Sequence, residues 1–151
     1  MIIDGNNLIL GRLASYSAKQ ALLGKKVDIV NCEKIVVSGK RKSILNDIKA
    51  AFARGEYLKG PFPSRRADRY VRRTVRGMLP YNQYKGKSAF KRVMCYRGIP
   101  DKFKDQKFQT IEEFNIQKTK SLSFITVGQI EKFLGGRWKN LAMLLEEEKE
   151  Q

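Results

Sequence analysis

Arginine recurs at helical intervals in one short segment, RRADRYVRRTVR at residues 65–76. Steps of three, four and seven residues bring these side chains onto one flank of a helix. The other flank, which we expect to face a sheet, holds Tyr70, Val71, Val75 and Met78. Neighbouring guanidinium groups repel one another by roughly a few tenths of a kcal/mol per pair, and Asp68 alone lies nearby to offset them. Phosphate oxygens would reverse this penalty, so the spacing predicts a helix that binds a polyanion.

An ordinary helix with a solvated basic face is the alternative interpretation of this segment. The surrounding sequence favours the polyanion, because neither Asp nor Glu occurs from residue 69 to residue 100. Residues 54–100 carry thirteen Lys and Arg against two acids, in a chain whose formal net charge is +16. A surplus of that size adds self-repulsion to the folded state, which a polyanion relieves. Nucleic acid is the commonest polyanion, and the charge therefore indicates a nucleic-acid partner.

Smaller features carry weaker indications of the same chemistry. Tyr81, Tyr84 and Tyr96 are interleaved with the basic residues and can either stack on bases or pack against a sheet edge; the sequence leaves both open. A basic run at 40–42 falls at a predicted strand-to-helix turn, where backbone N–H groups favour phosphate, although a solvated helix start explains it equally well. Arg12, at the start of the first predicted helix, hints weakly at an anion.

The residue types needed for catalysis or metal binding are missing or unsuitably spaced. The chain has no histidine, and its two cysteines, Cys32 and Cys95, lie in apolar stretches, which predicts buried thiols rather than a disulfide. This composition excludes a Cys/His zinc site and a Ser–His or Cys–His pair within one chain. Gly86-Lys87-Ser88 resembles the end of a P-loop, but Tyr81 stands where that loop requires glycine. We expect no enzymatic activity, no metal and no cofactor.

Targeting and membrane signals are also missing from the sequence. The N-terminus, MIIDGNNLILGRLAS, has neither a basic start nor a continuous apolar run, so no signal peptide is predicted. No stretch approaches the roughly 18–20 apolar residues of a membrane span. We therefore expect a soluble, cytoplasmic protein.

The positions of apolar residues, glycines and prolines predict the elements that carry these side chains. Predicted strands lie at 2–3, 27–30, 35–37 and 93–96, and predicted helices at 11–23, 41–53, 66–78 and 87–92. A loop is predicted over 56–64, which holds two prolines and a glycine. Runs of Val and Ile without strict alternation indicate strands buried on both faces. Alternating strands and helices predict a parallel α/β sheet covered on both sides.

After residue 100 the chain becomes polar, with nine basic and nine acidic residues in 101–151. Residues 101–121 are predicted to form an extended arm anchored by Phe103, Phe108, Ile111 and Phe114. Thr126 and Gln129 predict a capping box that begins a helix ending near Leu134. A last helix is predicted from Arg137 into the acidic run at 146–150. We expect one α/β nucleic-acid-binding domain at 1–100 and a C-terminal extension at 101–151 that packs on it or extends from it.

Four strings resemble a known family, the ribosomal large-subunit protein thirteen (L-thirteen) family. They are LILGRLAS (8–15), VNCEKIVVSGK (30–40), RRTVRGMLP (72–80) and YRGIP (96–100), and they occur in family order. The block GPFPSRRADRYVRRTVRGMLP (60–80) is similar to the archaeal and eukaryotic branch. A weaker match lies near FITVGQIEKFLG (124–135). The chain departs from many relatives at Pro63 and Tyr81, where those relatives have histidine.

The resemblance implies a three-layer α/β/α fold around a four-stranded parallel sheet. It also implies a structural, non-catalytic constituent of the large ribosomal subunit that binds large-subunit rRNA and contacts neighbouring ribosomal proteins, with no small-molecule substrate and no homo-oligomer. A free-standing regulator that binds mRNA or DNA is the competing hypothesis. Taken together, resemblance and charge predict an RNA-contacting set consisting of Arg12, Lys40, Arg41, Lys59, Arg65, Arg66, Arg69, Arg72, Arg73, Arg76, Lys85, Lys87, Lys91, Arg92 and Arg97.

Overall fold

A computed structural model describes residues 1–56, 58–119 and 123–135. The strands are β1 (Ile2–Asp4), β2 (Val27–Val30), β3 (Val36–Ser38), β4 (Val93–Cys95) and β5 (Phe124–Thr126). The helices are α1 (Leu10–Leu22), α2 (Arg41–Ala53), α3 (Ala67–Gly77), α4 (Tyr84–Lys91) and α5 (Val127–Phe133). Short 3-10 turns cover Cys32–Lys34, Asp101–Phe103, Glu112–Phe114 and Ile116–Lys118. The predicted helix from Arg137 and the acidic run at 146–150 lie outside the described residues.

The central sheet is parallel and has the strand order β1-β2-β4, with Ile3 opposite Ile29 and Ile29 opposite Cys95. The parallel α/β character predicted from the sequence is therefore confirmed, but the four-stranded sheet is not. Strand β3 pairs antiparallel with β5, where Val37 lies opposite Ile125, and so forms a second, smaller sheet. An isolated parallel bridge joins Val36 of β3 to Ile9, the residue before α1. Strand β3 therefore forms its ladder of backbone hydrogen bonds with β5, a strand that was not predicted from the sequence.

One face of the central sheet is covered by α1, α3 and α4. Ile29 of β2 belongs to the same buried cluster as Leu13 of α1 and as Val71 and Val75 of α3, all four being fully buried. Burying each such side chain contributes about 1.5–3 kcal/mol relative to leaving it in water. The sheet therefore fixes the inner side of α3 and leaves its other side to solvent.

The opposite face of the sheet is covered by the arm that follows residue 100. Phe103 packs with Ile2 and Val30, and Phe108 lies against the same cluster. Gln109 also pairs with the edge strand β1, donating its N–H to the carbonyl of Ile2 at 2.9 Å. The covering layer on this face is an arm, so the expected α/β/α layering around four strands is not confirmed. On this face Phe103 and Phe108 of the arm cover the sheet in place of a second layer of helices.

Helices α2 and α5 pack on the small sheet formed by β3 and β5. Ile48 of α2, Ile125 of β5 and Ile130 of α5 form its buried cluster. The capping box predicted at the start of α5 is confirmed: the Thr126 side chain accepts from the N–H of Gln129, and the Gln129 side chain accepts from the N–H of Thr126. Strand β5 had not been predicted, because three residues are too few to show an alternating pattern.

Local sequence patterns locate most elements closely but misplace two features. The bounds of β2 and α2 are those predicted, whereas α4 begins three residues earlier than predicted, at Tyr84. Met78 was expected to face the core, yet it is exposed and Leu79 is buried instead. The reason is that α3 ends at Gly77, so the helical period no longer applies at Met78.

Cys32 and Cys95 are buried and form no disulfide bond, which confirms the prediction from the sequence. The Cys32 thiol donates to the carbonyl of Ile29 at 3.6 Å. A hydrogen bond with Cys95, followed by burial, raises the pKa of Cys32 well above its ordinary value. Both thiols therefore behave as small apolar core groups.

Gly86 tests how tightly α4 packs on the turn before it. A methyl group at Gly86 would collide with the carbonyl group of Pro80, whereas one at Gly11 of α1 would meet nothing within 4 Å. We expect Gly86→Ala to lower the free energy of unfolding by about 1–3 kcal/mol through overpacking. The matched control Gly11→Ala should raise it by up to about 1 kcal/mol through helix propensity. Urea denaturation measures both, and equal stability of the two variants would contradict this packing.

Candidate nucleic-acid interface

Helix α3 presents an outer flank of arginines because its inner side is committed to the core. Val71 and Val75 are fully buried, and Arg69, Arg73 and Arg76 are exposed. Within residues 1–56, 58–119 and 123–135, the side chains of Arg69 and Arg73 make no hydrogen bond or ion pair. Their charges are therefore available to an external anion, as the spacing in the sequence predicts.

Two further arginines of this flank are held in place by aromatic rings. The Arg72 Nε donates to the carbonyl of Val93 at 3.1 Å, and its guanidinium carbon lies 4.5 Å from the centroid of the Phe90 ring. The guanidinium carbon of Arg76 lies 5.3 Å from the Tyr81 ring. Tyr81 and Phe90 themselves meet edge to face, with centroids 5.6 Å apart. Stacking of this kind restricts the arginines before any ligand arrives, which lowers the entropy lost on binding.

An open cleft of about 380 Å³ separates this flank from the preceding loop. Two backbone hydrogen bonds between Glu56 and Gly60, of 3.2 and 2.9 Å, close the turn that directly precedes the cleft-lining residues of this loop. The lining residues come from the loop, from α3 and from α4, and are Pro61, Phe62, Pro63, Ser64, Arg69, Arg72, Arg73, Arg76 and Phe90. Apolar and guanidinium groups thus line the same cleft.

Arg66 takes part in shaping the start of α3. Its Nε and one terminal nitrogen each lie 3.1 Å from a carboxylate oxygen of Asp68, a two-point ion pair. Asp68 is buried in the first turn of the helix, where a negative charge interacts favourably with the helix dipole. Arg65 and Arg66 are both exposed and precede the first helical residue.

Arg97 lies in a buried ion pair and not on the exposed flank. Its guanidinium is 3.3 Å from Glu131 of α5, and the two side chains are 15% and 5% exposed. The second carboxylate oxygen of Glu131 accepts the backbone N–H of Ala67, the first residue of α3, at 3.2 Å. Helix α5 thereby fixes the beginning of the arginine-bearing helix. Sequence reasoning had no signal for Glu131, since a single acid on a short helix looks like a surface residue.

Other predicted residues lie around this centre, some with partners of their own. Arg92 donates to the carbonyl of Ala21 at 3.4 Å, and Arg12 donates to the carbonyl of Glu113 at 3.3 Å. Lys59 pairs with Glu56 at 3.1 Å, and both side chains remain mostly exposed. Five further predicted residues are exposed at the start of α2 and on α4, namely Lys40, Arg41, Lys85, Lys87 and Lys91.

The tyrosines that the sequence left undecided occupy three different environments. Tyr96 packs against Phe103 with ring centroids 5.4 Å apart, and its hydroxyl accepts from Lys102 at 2.7 Å. Tyr81 supports Arg76, as described above, and Tyr84 is 87% exposed. The aromatic residues that line the cleft are instead Phe62 and Phe90, which charge patterning does not single out.

Neither a metal-binding cluster nor a membrane span is found where the chain is described. No group of three or more His, Cys, Asp or Glu side chains there is arranged to hold a metal ion. No helix in the same residues is long and apolar enough to cross a membrane.

Comparisons with known proteins place the cleft and the basic flank within a matched region. The family model described as ribosomal protein L13 matches residues 1–102. The chain is 40% identical over 138 residues to the large ribosomal subunit protein uL13 of Methanosarcina barkeri, covering 91% of this chain and 99% of that protein. It is 39% identical over 137 residues to uL13 of Methanococcoides burtonii, with the same coverage. Against uL13 of Archaeoglobus fulgidus, identity is 35% over 137 residues.

Removing one partner of the buried pair between Glu131 and Arg97 should destabilise the fold. Glu131→Ala leaves the guanidinium without this carboxylate in a low-dielectric site and removes the acceptor of the Ala67 N–H. We expect the free energy of unfolding to fall by about 3 kcal/mol in urea denaturation. The control is Glu112→Ala, which breaks a solvent-exposed pair with Lys118 and should cost under about 1 kcal/mol. Equal losses in the two variants would contradict a structural role for Glu131.

Proposed function

The chain belongs to the ribosomal protein L13 family, and on that premise we propose that it is a structural constituent of the large ribosomal subunit that binds rRNA through α3. The observation that carries the proposal is the outer flank of α3, where the exposed Arg69 and Arg73 have no partner among the described residues. The stretch from 69 to 100 contains no acid that could neutralise them. The three archaeal relatives are large ribosomal subunit proteins, which supports the same proposal.

The proposed mechanism is neutralisation and positioning, without catalysis. Arg69 and Arg73 pair with phosphate oxygens and release counterions from the RNA, while Arg72 and Arg76 are already oriented by Phe90 and Tyr81. The lysines of α4 and the basic start of α2 extend the positive surface. Recognition of the duplex parts of rRNA is mainly of shape and backbone, as A-form geometry requires.

The remaining parts of the chain have proposed roles that follow from this arrangement. We propose that residues 1–100 carry the RNA-binding surface, and that the following extension, whose described part packs on them through β5 and α5, contacts neighbouring ribosomal proteins in the cytoplasmic ribosome. The arm supports the sheet by burying Phe103 against Ile2 and Val30. The residues of the arm that stay exposed are then free to meet a neighbour.

Salt dependence of RNA binding tests the electrostatic part of the proposal. The logarithm of affinity for a large-subunit rRNA fragment should fall with the logarithm of salt concentration by roughly 0.7–0.9 per phosphate contact. Removing two contacts with Arg69→Ala and Arg73→Ala should therefore reduce the slope by roughly 1.4–1.8 in a filter-binding titration. A slope near zero for the parent protein would refute binding through phosphates.

Incorporation into particles tests the ribosomal part. The charge-reversal variant carries Arg69→Glu and Arg73→Glu, which leave Arg72 and its bond to Val93 intact. The control carries Lys25→Glu and Lys49→Glu, exposed positions after α1 and on α2 that lie outside the proposed RNA-contacting set and change the net charge equally. In a sucrose gradient of cell lysate, the parent and the control should sediment with the large subunit, and the reversal variant should stay at the top.

Two results would contradict the proposal. The first is normal uptake of the folded reversal variant, with circular dichroism and thermal melting like those of the parent. The second is a parent protein found only at the top of the gradient, which would favour a free-standing nucleic-acid binder.

A further inference from the structure

We propose that the cleft between residues 61–64 and α3 binds a single unpaired nucleotide that projects from the RNA. The inference rests on the proposed function and deepens it, because it specifies the RNA element that this part of the surface recognises. The cleft would bind a base, whereas Arg69 and Arg73 are proposed to contact phosphates.

The size and the composition of the cleft fit a nucleotide. Its volume of about 380 Å³ falls within the roughly 300–1,000 Å³ of ligand-binding pockets. Pro61, Phe62 and Pro63 supply apolar surface, and the arginines of α3 supply positive charge. A base needs the first and its phosphate needs the second. The described residues that line the cleft include no Asp or Glu, so nothing there repels an anion.

Phe62 is the feature that phosphate binding leaves unexplained. Its side chain is 75% exposed in the free protein, although it is large and apolar. A surface that contacts only the RNA backbone gains nothing from such a ring. A base that stacks on an aromatic side chain contributes about 1–3 kcal/mol, whatever its sequence. An exposed phenylalanine beside arginines is therefore suited to stacking on a base.

The other side of the cleft is already ordered for stacking. Arg72 is fixed by its bond to the carbonyl of Val93 and lies over the ring of Phe90, and both side chains line the cleft. The planar guanidinium group stacks on bases as well as pairing with phosphate. Arg69 and Arg73, which have no partner in the described part of the chain, are available for the phosphate of the same nucleotide.

The occupant must be unpaired, because bases within an A-form helix are stacked on each other and shielded from side-chain planes. A bulged nucleotide already lies outside the stack or leaves it at the cost of only a few kcal/mol. An acidic peptide would satisfy the arginines, but its Asp and Glu side chains have no aromatic ring to stack on Phe62. The observations therefore favour a bulged or looped-out nucleotide over a continuous duplex and over a peptide.

The test compares two RNA hairpins of the same stem, one fully paired and one with a single bulged uridine. We expect the full chain to bind the bulged hairpin about tenfold more tightly, as one added stacking contact implies. Phe62→Ala should abolish that preference and leave the affinity for the paired hairpin within twofold of the parent. Leu58→Ala is the matched control, since Leu58 is 81% exposed in the same loop but does not line the cleft. It should keep the preference.

A cross-linking measurement locates the base directly. A bulged 4-thiouridine in the same hairpin should cross-link on irradiation to the peptide that contains residues 61–64 or to Phe90, as read by mass spectrometry. A cross-link confined to other peptides would overturn the proposal, as would equal affinity of the parent for the two hairpins. In either case the proposed phosphate contacts would be retained if the double variant Arg69→Glu, Arg73→Glu no longer binds either hairpin. Failure of the parent to bind either hairpin would overturn this inference, and the proposed function would fall with it only if the large-subunit rRNA fragment were also not bound.

Discussion

Burial of the inner side of α3 is the interaction on which the rest of the structure depends. Its arginines repel one another and would weaken an isolated helix. Val71 and Val75 compensate, because they are fully buried between the sheet and α1. The helix therefore forms before any polyanion is present, and two of its arginines, Arg72 and Arg76, are already oriented by aromatic rings. Binding then requires little reorganisation of the protein. A rigid core therefore favours affinity, because it lowers the entropy lost on binding.

The start of α3 depends on residues far away in the chain. Glu131 accepts the first N–H of the helix and pairs with Arg97, so a segment outside the basic region sets the direction of the helix. A buried ion pair recovers little net free energy after desolvation, but its geometry is specific. The same holds for Arg72, which gives one donor to Val93 and thereby fixes its guanidinium over Phe90. The surface thus combines an ordered Arg72 with Arg69 and Arg73, which have no partner among the described residues.

The sequence was sufficient for features that depend on local periodicity. The helical spacing predicted the flank of α3, and the cap residues predicted the start of α5. The sequence was insufficient for contacts between residues that lie far apart in the chain. YRGIP contains no acid, so Arg97 looked like one more surface cation, and nothing near Val36 indicated that β3 would pair with β5. The cleft was also hidden, because the side chains that line it come from a loop and two helices.

Both outer strands of the central sheet have backbone groups that are already engaged. Gln109 of the arm occupies hydrogen-bonding positions of β1, and the Arg72 side chain occupies the carbonyl of Val93 on β4. Unpaired strand edges are templates on which a second chain can add a strand and start an aggregate. A basic protein that must exist for a time without its polyanion is exposed to that hazard. Here the guanidinium of Arg72, part of the proposed RNA-binding surface, also blocks part of an edge against self-association.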